Sequence, residues 1–186
     1  MNKALVLAGA LLVAQATTAY AQTRTTSTAV NAMSIVNGCV VNTVSADRII
    51  QTVGGQASQR HVIVNWSSID NCTGQQLLAG SGRAPETVLR GSYTSGQVTL
   101  SFDSAALPEV SQTQPVTVNL IFKKTPEREE ISTGSTTTIQ RVPAPEERKR
   151  YAQTRKSSSA SVAGVVSFAD FNGATAGMSM LQTVDP

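Results

Sequence analysis

The sequence predicts an all-β chain folded as an antiparallel sandwich, on three observations. The windows HVIVNWSS, GQVTLSFDS and PVTVNLIFKK each alternate apolar and polar residues with period two. Thr, Val, Ser and Gly dominate the composition, while the Leu-rich periodicity of amphipathic helices is scarce. The alternating runs are short and are bounded by turn-forming residues rather than by helical stretches, which favours packed antiparallel sheets over a βαβ arrangement.

Taken in chain order, the first 21 residues stand apart. Lys3, an apolar run over Ala4–Ala14 and the Ala19-Tyr20-Ala21 tripeptide have the layout of a secretory signal peptide. The run is shorter than the roughly 20 residues a membrane-spanning helix needs. The expected mature chain is Gln22–Pro186, 165 residues, a length that suits one domain with one core.

Strand candidates follow at Thr28–Val36 and Arg48–Val53, with Gly54-Gly55 as a breaker. In the next strand Val62, Val64 and Trp66 take one face, and His61, Ile63 and Asn65 the other. Asp70-Asn71 and Gly80-Ser81-Gly82 read as turns. Glu86–Ser92 is a weaker strand. Beyond Ser95-Gly96 come the inward sets Val98, Leu100, Phe102 and Val116, Val118, Leu120, Phe122. Thr136–Val142 and Ser159–Phe168 are further weak strands, and Asp170-Phe171-Asn172-Gly173 reads as a turn.

One segment differs in composition. Residues 123–156 hold 14 of the chain's 27 charged residues, nine basic and five acidic, together with Pro126, Pro143 and Pro145. Dense charge and ladder-breaking prolines mark an exposed connection or edge hairpin. PEERKRYAQTRK alone carries five of the bases. The interleaved acids weaken any focused field for a polyanion, so nucleic acid is not an expected partner.

Cys39 and Cys72 are the only cysteines. In an exported chain such a pair is expected to form a disulfide. Two thiols and the single His61 fall short of a zinc site's four ligands, and no C-x-x-C is present. A bridge between positions 39 and 72 should stabilise the fold by roughly 3–4 kcal/mol in the chain-entropy model.

The catalytic inventory is thin. There is no G-x-S-x-G string, and AGSGR at Ala79–Arg83 is one residue short of it. His61 is the lone candidate base and has no evident nucleophile or orienting partner. The acids outside the charged segment, among them Asp47, Asp70, Asp103 and Asp170, form no local pair and no calcium-loop spacing. The chain is therefore read as a non-enzyme, with no catalytic residue, no cofactor and no metal.

The stretch SIVNGCVVNTVSADRIIQTVGGQASQRHVIVNWSSIDNCTG resembles the opening of a chaperone–usher fimbrial pilin subunit. A strand leading to Cys39 in VNGCVV, and Cys72 closing an alternating strand, carry the resemblance over roughly Thr28–Thr73. The related spore-coat-U-like secreted subunits share this opening. The resemblance implies an immunoglobulin-like β-sandwich, complete or lacking one strand that another chain donates. It also implies a structural role, in which an exported subunit in the periplasm, at the cell surface or in a fimbrium polymerises by β-strand complementation. Its partners would be copies of itself or related subunits, a periplasmic chaperone and an outer-membrane usher. Val30, Met33 and Ile35 lie in the candidate donor strand, which is equally the candidate first strand of the subunit itself. In an incomplete sandwich, a groove lined by strands such as Val116–Phe122 would stand open. The alternative function is a self-contained exported β-sandwich that binds a glycan or a protein.

Overall fold

The computed structural model describes residues 22–140 and 147–185. The expected signal peptide and the Pro143–Pro145 stretch lie outside them. Among the described residues ten strands run in chain order. They are β1 (Thr23–Val36), β2 (Val40–Val53), β3 (Gln56–Asp70), β4 (Gln75–Ala84), β5 (Leu89–Ser92), β6 (Gln97–Asp103), β7 (Glu109–Gln112), β8 (Thr117–Gln140), β9 (Glu147–Val166) and β10 (Thr175–Asp185). Among the described residues there is no α-helix, only single 3-10 turns at Glu86–Val88 and Ser104–Ala106. No helix among them is long and apolar enough to cross a membrane.

The strands form one antiparallel sheet in the order β5-β6-β8-β9-β10-β1-β2-β3-β4-β7. Its two halves face each other across a single core, giving the antiparallel sandwich that the alternation predicts. Val62, Val64 and Trp66 of β3 are buried, as are Val98, Leu100 and Phe102 of β6 and Val118, Leu120 and Phe122 of β8. The ring centroids of Trp66 and Phe102 are 5.5 Å apart, so β3 and β6 meet through their side chains although five strands separate them in the sheet. This is how a period-two sequence closes a core. Each strand contributes one face, and burying it stabilises the fold at about 25 cal/mol per Å2 of apolar area.

Two tight turns set the register of the first hairpins. Asn37 and Gly38 both have positive φ, 52° and 70°, and Cys39 N–H donates to the Val36 carbonyl at 3.1 Å. Gly54 and Gly55, at 59° and 83°, join β2 to β3 in the same way. Such turns match strand twist and need residues that tolerate left-handed backbone. The pairings Val36↔Val40 and Val53↔Gln56 follow directly.

The structure differs from the sequence reading at Gly80-Ser81-Gly82, which lies inside β4 and is not a turn. A Cβ at Gly80 would overlap the Trp66 indole, and one at Gly82 would overlap the Glu109 carbonyl oxygen of β7. These glycines admit a close neighbour on either side. Over Glu86–Ser92, a 3-10 turn takes the first three residues and β5 the last four.

Candidate functional site

The disulfide joins two turns at one end of the sheet. Cys39 follows the β1–β2 turn and Cys72 lies in the β3–β4 turn, with their Cα atoms 5.3 Å apart. Asn71 N–H donates to the Cys39 carbonyl at 3.0 Å, so backbone and covalent links coincide. The Asp70 carboxylate accepts from Cys72 N–H at 2.9 Å and Thr73 N–H at 3.2 Å. Hydrogen bonding from the Thr73 side chain, and then from these amides, holds its pKa below the ordinary carboxylate value. Cys39, Asp70 and Cys72 lie close enough to suggest a metal cluster, but both sulfurs are spent on the bridge. A disulfide of this kind points to an oxidising, non-cytosolic compartment.

The candidate donor or first-strand residues all lie on β1, which pairs with β10 on one side and β2 on the other within the same chain. Val30 points into the core with Thr28 and Ala32. Met33 and Ile35 have the opposite parity and are 40% and 57% exposed. The three residues therefore serve two faces. Val116, Val118, Leu120 and Phe122 are buried by the chain's own strands, so no open groove runs along them.

His61 lies on the outward face of β3, as its alternation predicts. It borders a depression with Gln59, Ile63, Asn65, Ser81 and Arg83, and its Nδ1 is buried without a partner. Among the described residues its walls carry no carboxylate or thiol, and Ser81 supplies the one hydroxyl on them. Asp170 forms the expected turn, accepting from Asn172 N–H at 2.9 Å, with Gly173 at a φ of 72°.

Two surface features remain as candidates. The first is a trough on the outward face of β9, β10, β1 and β2, with Glu130 and Ser132–Gly134 of β8 also on its walls. Three adjoining depressions of about 630, 370 and 450 Å3 share Asn31, Ser45, Asp47, Arg155, Ser157 and Gly177 among their walls. Ser27 Oγ donates to the Asp47 carboxylate at 2.6 Å inside it. Register explains its composition. Gly177, Asn31, Ser45 and Asn65 lie opposite one another on β10, β1, β2 and β3, and small polar residues leave a hollow where large ones would fill it.

The second feature is a sheet edge. Residues 123–140 belong to β8 and residues 147–156 to β9, and the two strands pair with each other. The first part of β8, Thr117–Lys123, pairs with β6 on one side and β9 on the other. After Lys124 the register slips, so that Lys124 opposes Ala160 while Glu129 opposes Ser158. The residues between carry Pro126, which removes a ladder donor. Beyond the slip, Glu129–Gln140 pairs with β9 alone, leaving the other edge of twelve residues without a neighbouring strand among the described residues. The hairpin also outruns β10, whose pairing with β9 stops at Val184↔Ala152 while β8 and β9 continue to Gln140↔Glu147.

The other sheet edges among the described residues are short or closed. β5 has four residues, and its outward carbonyls are taken by Arg48 of β2: Nη1 donates to Leu89 O at 3.0 Å and Nη2 to Gly91 O at 2.6 Å. β7 also has four residues. Short or capped edges resist added strands, and a long bare one invites them. Family models, curated proteins and solved structures were all searched, and none matches this chain.

Proposed function

We propose that this chain is an exported structural subunit whose role is assembly, by β-strand addition at the free edge of β8. The observation that carries the reading is the contrast in edges among the described residues: twelve residues of β8 without a neighbouring strand against four-residue edges at β5 and β7. An added strand gains affinity from main-chain hydrogen bonds that this edge leaves unmade. The secretion signal in the sequence and the Cys39–Cys72 bridge agree with work outside the cytosol. The fimbrial resemblance of Thr28–Thr73 points to the same class of role. In this fold β1 is already held on both sides, which makes β8 the better-supported place for the strand to be added. The test is the native mass of the exported form, followed by light scattering from low micromolar to millimolar concentration. Association that rises with concentration is expected. A monomer throughout, in material with intact disulfide, would remove the reading.

The trough favours a second reading, a binding module for a glycan. Asn31, Asp47, Asn65 and Arg155 offer donors and acceptors in one hollow. Titration with neutral oligosaccharides should then shift the Asn31 and Asn65 amide resonances. No shift with any sugar would leave the edge as the functional surface.

A further inference from the structure

We infer that the strand added to the β8 edge is the same β8 edge of a second copy, run antiparallel about a two-fold axis near Gly134. The inference rests on the strand-addition reading and specifies its occupant.

Length comes first. Among the described residues each copy presents one bare edge of twelve residues, while β5 and β7 offer four each and β5 is capped by Arg48. A β8–β8 contact satisfies far more main-chain groups than a β8–β5 or β8–β7 contact.

Charge sets the direction. Glu129 and Glu130 lie at one end of the free edge, and uncharged Ile139 and Gln140 at the other. One strand in from that second end are Glu147, Arg148, Lys149 and Arg150, paired with Gln140, Ile139, Thr138 and Thr137. Lys156 and Arg155, paired with Ile131 and Ser132, offset the two glutamates at the first end, so antiparallel pairing sets a balanced end of one copy beside this net-positive end of the other and keeps the two net-positive ends apart. Parallel pairing would stack Glu129 and Glu130 on their own copies, which like-charge repulsion opposes. Between the ends, residues 132–138 are Ser, Thr and Gly with no charge, so nothing on the central stretch repels a copy.

The contact is isologous, and an isologous contact closes. With one such edge per chain, β8 pairing stops at two copies and joins two sandwiches through one continuous sheet. Growth beyond a dimer would need a second, different surface.

The experiment compares the mature wild-type chain with Ile131→Lys, Thr133→Cys and Val165→Lys. Ile131 is 59% exposed on the free strand, and Val165 is 73% exposed on β9 opposite Asn119, in the sandwich body. Wild type should reach twice the monomer mass and go no higher. Ile131→Lys should raise the dimer dissociation constant at least ~10-fold, because a lysine on a bare edge counts twice across the two-fold axis. Its unfolding transition should stay at the wild-type position, separating loss of pairing from loss of fold. Val165→Lys should leave the dimer unchanged. Thr133→Cys introduces the one free thiol in a chain whose native cysteines are bonded, and because an axis at Gly134 leaves the two thiols two residues apart along the paired strands, it should cross-link dimers with a short bismaleimide. Masses that keep growing beyond the dimer would overturn the two-fold inference while leaving strand addition standing. A dimer that is indifferent to Ile131→Lys, and that the Thr133→Cys variant fails to cross-link, would overturn it as well. A monomer at all concentrations would remove both readings.

Discussion

The two halves of β8 are one continuous strand with opposite chemistry. From Thr117 to Lys123 it has neighbours on both sides, and Val118, Leu120 and Phe122 are buried at every second position. From Glu129 to Gln140 it has one neighbour, and Ile131 is largely exposed. The lesson is that strand formation and core formation are separable in this chain. The first half is held by burial, at about 1.5–3 kcal/mol for a large apolar side chain. The second half is held by its hairpin partner, and an isolated two-stranded ribbon is marginal in water. The body of the fold therefore has little tolerance for truncation, and the hairpin has a surface to offer.

Substitutions that delete buried mass should divide the halves most sharply. Phe122→Ala removes a side chain with no exposure and should cost about 3–5 kcal/mol in denaturant unfolding. A loss under about 1 kcal/mol would mean that the near half of β8 is no more anchored than the far half. Next in size comes the bridge. Cys39→Ser with Cys72→Ser should destabilise by about 3–4 kcal/mol, read in the same assay, because the unfolded chain regains the freedom of a loop spanning 33 positions. The hairpin's edge chemistry should survive that change, since it lies on strands the bridge does not touch. Gly80→Ala should cost about 1–3 kcal/mol, as its methyl must displace the Trp66 indole or the strand beneath it. A neutral result would show that β4 has room to move.

Most of the body was legible because its strands bury one face and so alternate. Val62, Val64, Trp66 and the sets on β6 and β8 follow from period two alone. The disulfide was legible from a start that reads as a signal peptide and from there being no third cysteine. β4, β7 and β10 were not. β4 carries Gly80 and Gly82 because its neighbours press against it, and the same residues read as a turn when no neighbour is in view. A signal was available in Asn37-Gly38, a strong hairpin marker, and in the long polar strand HVIVNWSSID that needs a partner on its far side. The free edge was half legible. Charge and proline set residues 123–156 apart in composition, but which edge of a strand lacks a neighbour is a property of sheet order, and no local pattern encodes sheet order. The trough has the same origin, because Gly177, Asn31, Ser45 and Asn65 are distant in sequence and meet only through register.

A smaller effect concerns the turn that anchors the body's end. Asp70 has a folded-state pKa below its unfolded value, so its contribution is present above the unfolded value and fades as pH falls through the folded one. Asp70→Asn should lower stability slightly above about pH 4, where the carboxylate's contribution is present, and converge with wild type as pH falls below it, which flattens the acid limb. Melts of the two proteins at stepped pH measure this. A limb of unchanged slope would assign acid sensitivity to other carboxylates.

The smallest effect belongs to the far half of β8, and it is the most discriminating because it should be nearly absent. Ile131→Ala removes as many methylene-sized groups as many core truncations do, yet most of that side chain already contacts water. The transfer term is therefore small, and no cavity forms when nothing encloses the site. The expected change in unfolding free energy is within about 0.5 kcal/mol, the ordinary range for surface positions. Amide exchange supplies the independent arm. Glu129–Gln140 should exchange through local opening well below the global unfolding free energy, while Val62–Trp66 exchanges only through global unfolding. Measured where the chain is dissociated, slow exchange along Glu129–Gln140 together with a large loss on Ile131→Ala would place the hairpin within the cooperative body. Its edge would then be a structural element rather than a surface held out for a partner. Measured where the chain is associated, protection confined to that same stretch is what strand addition at β8 requires, since only a new neighbour closes those amides.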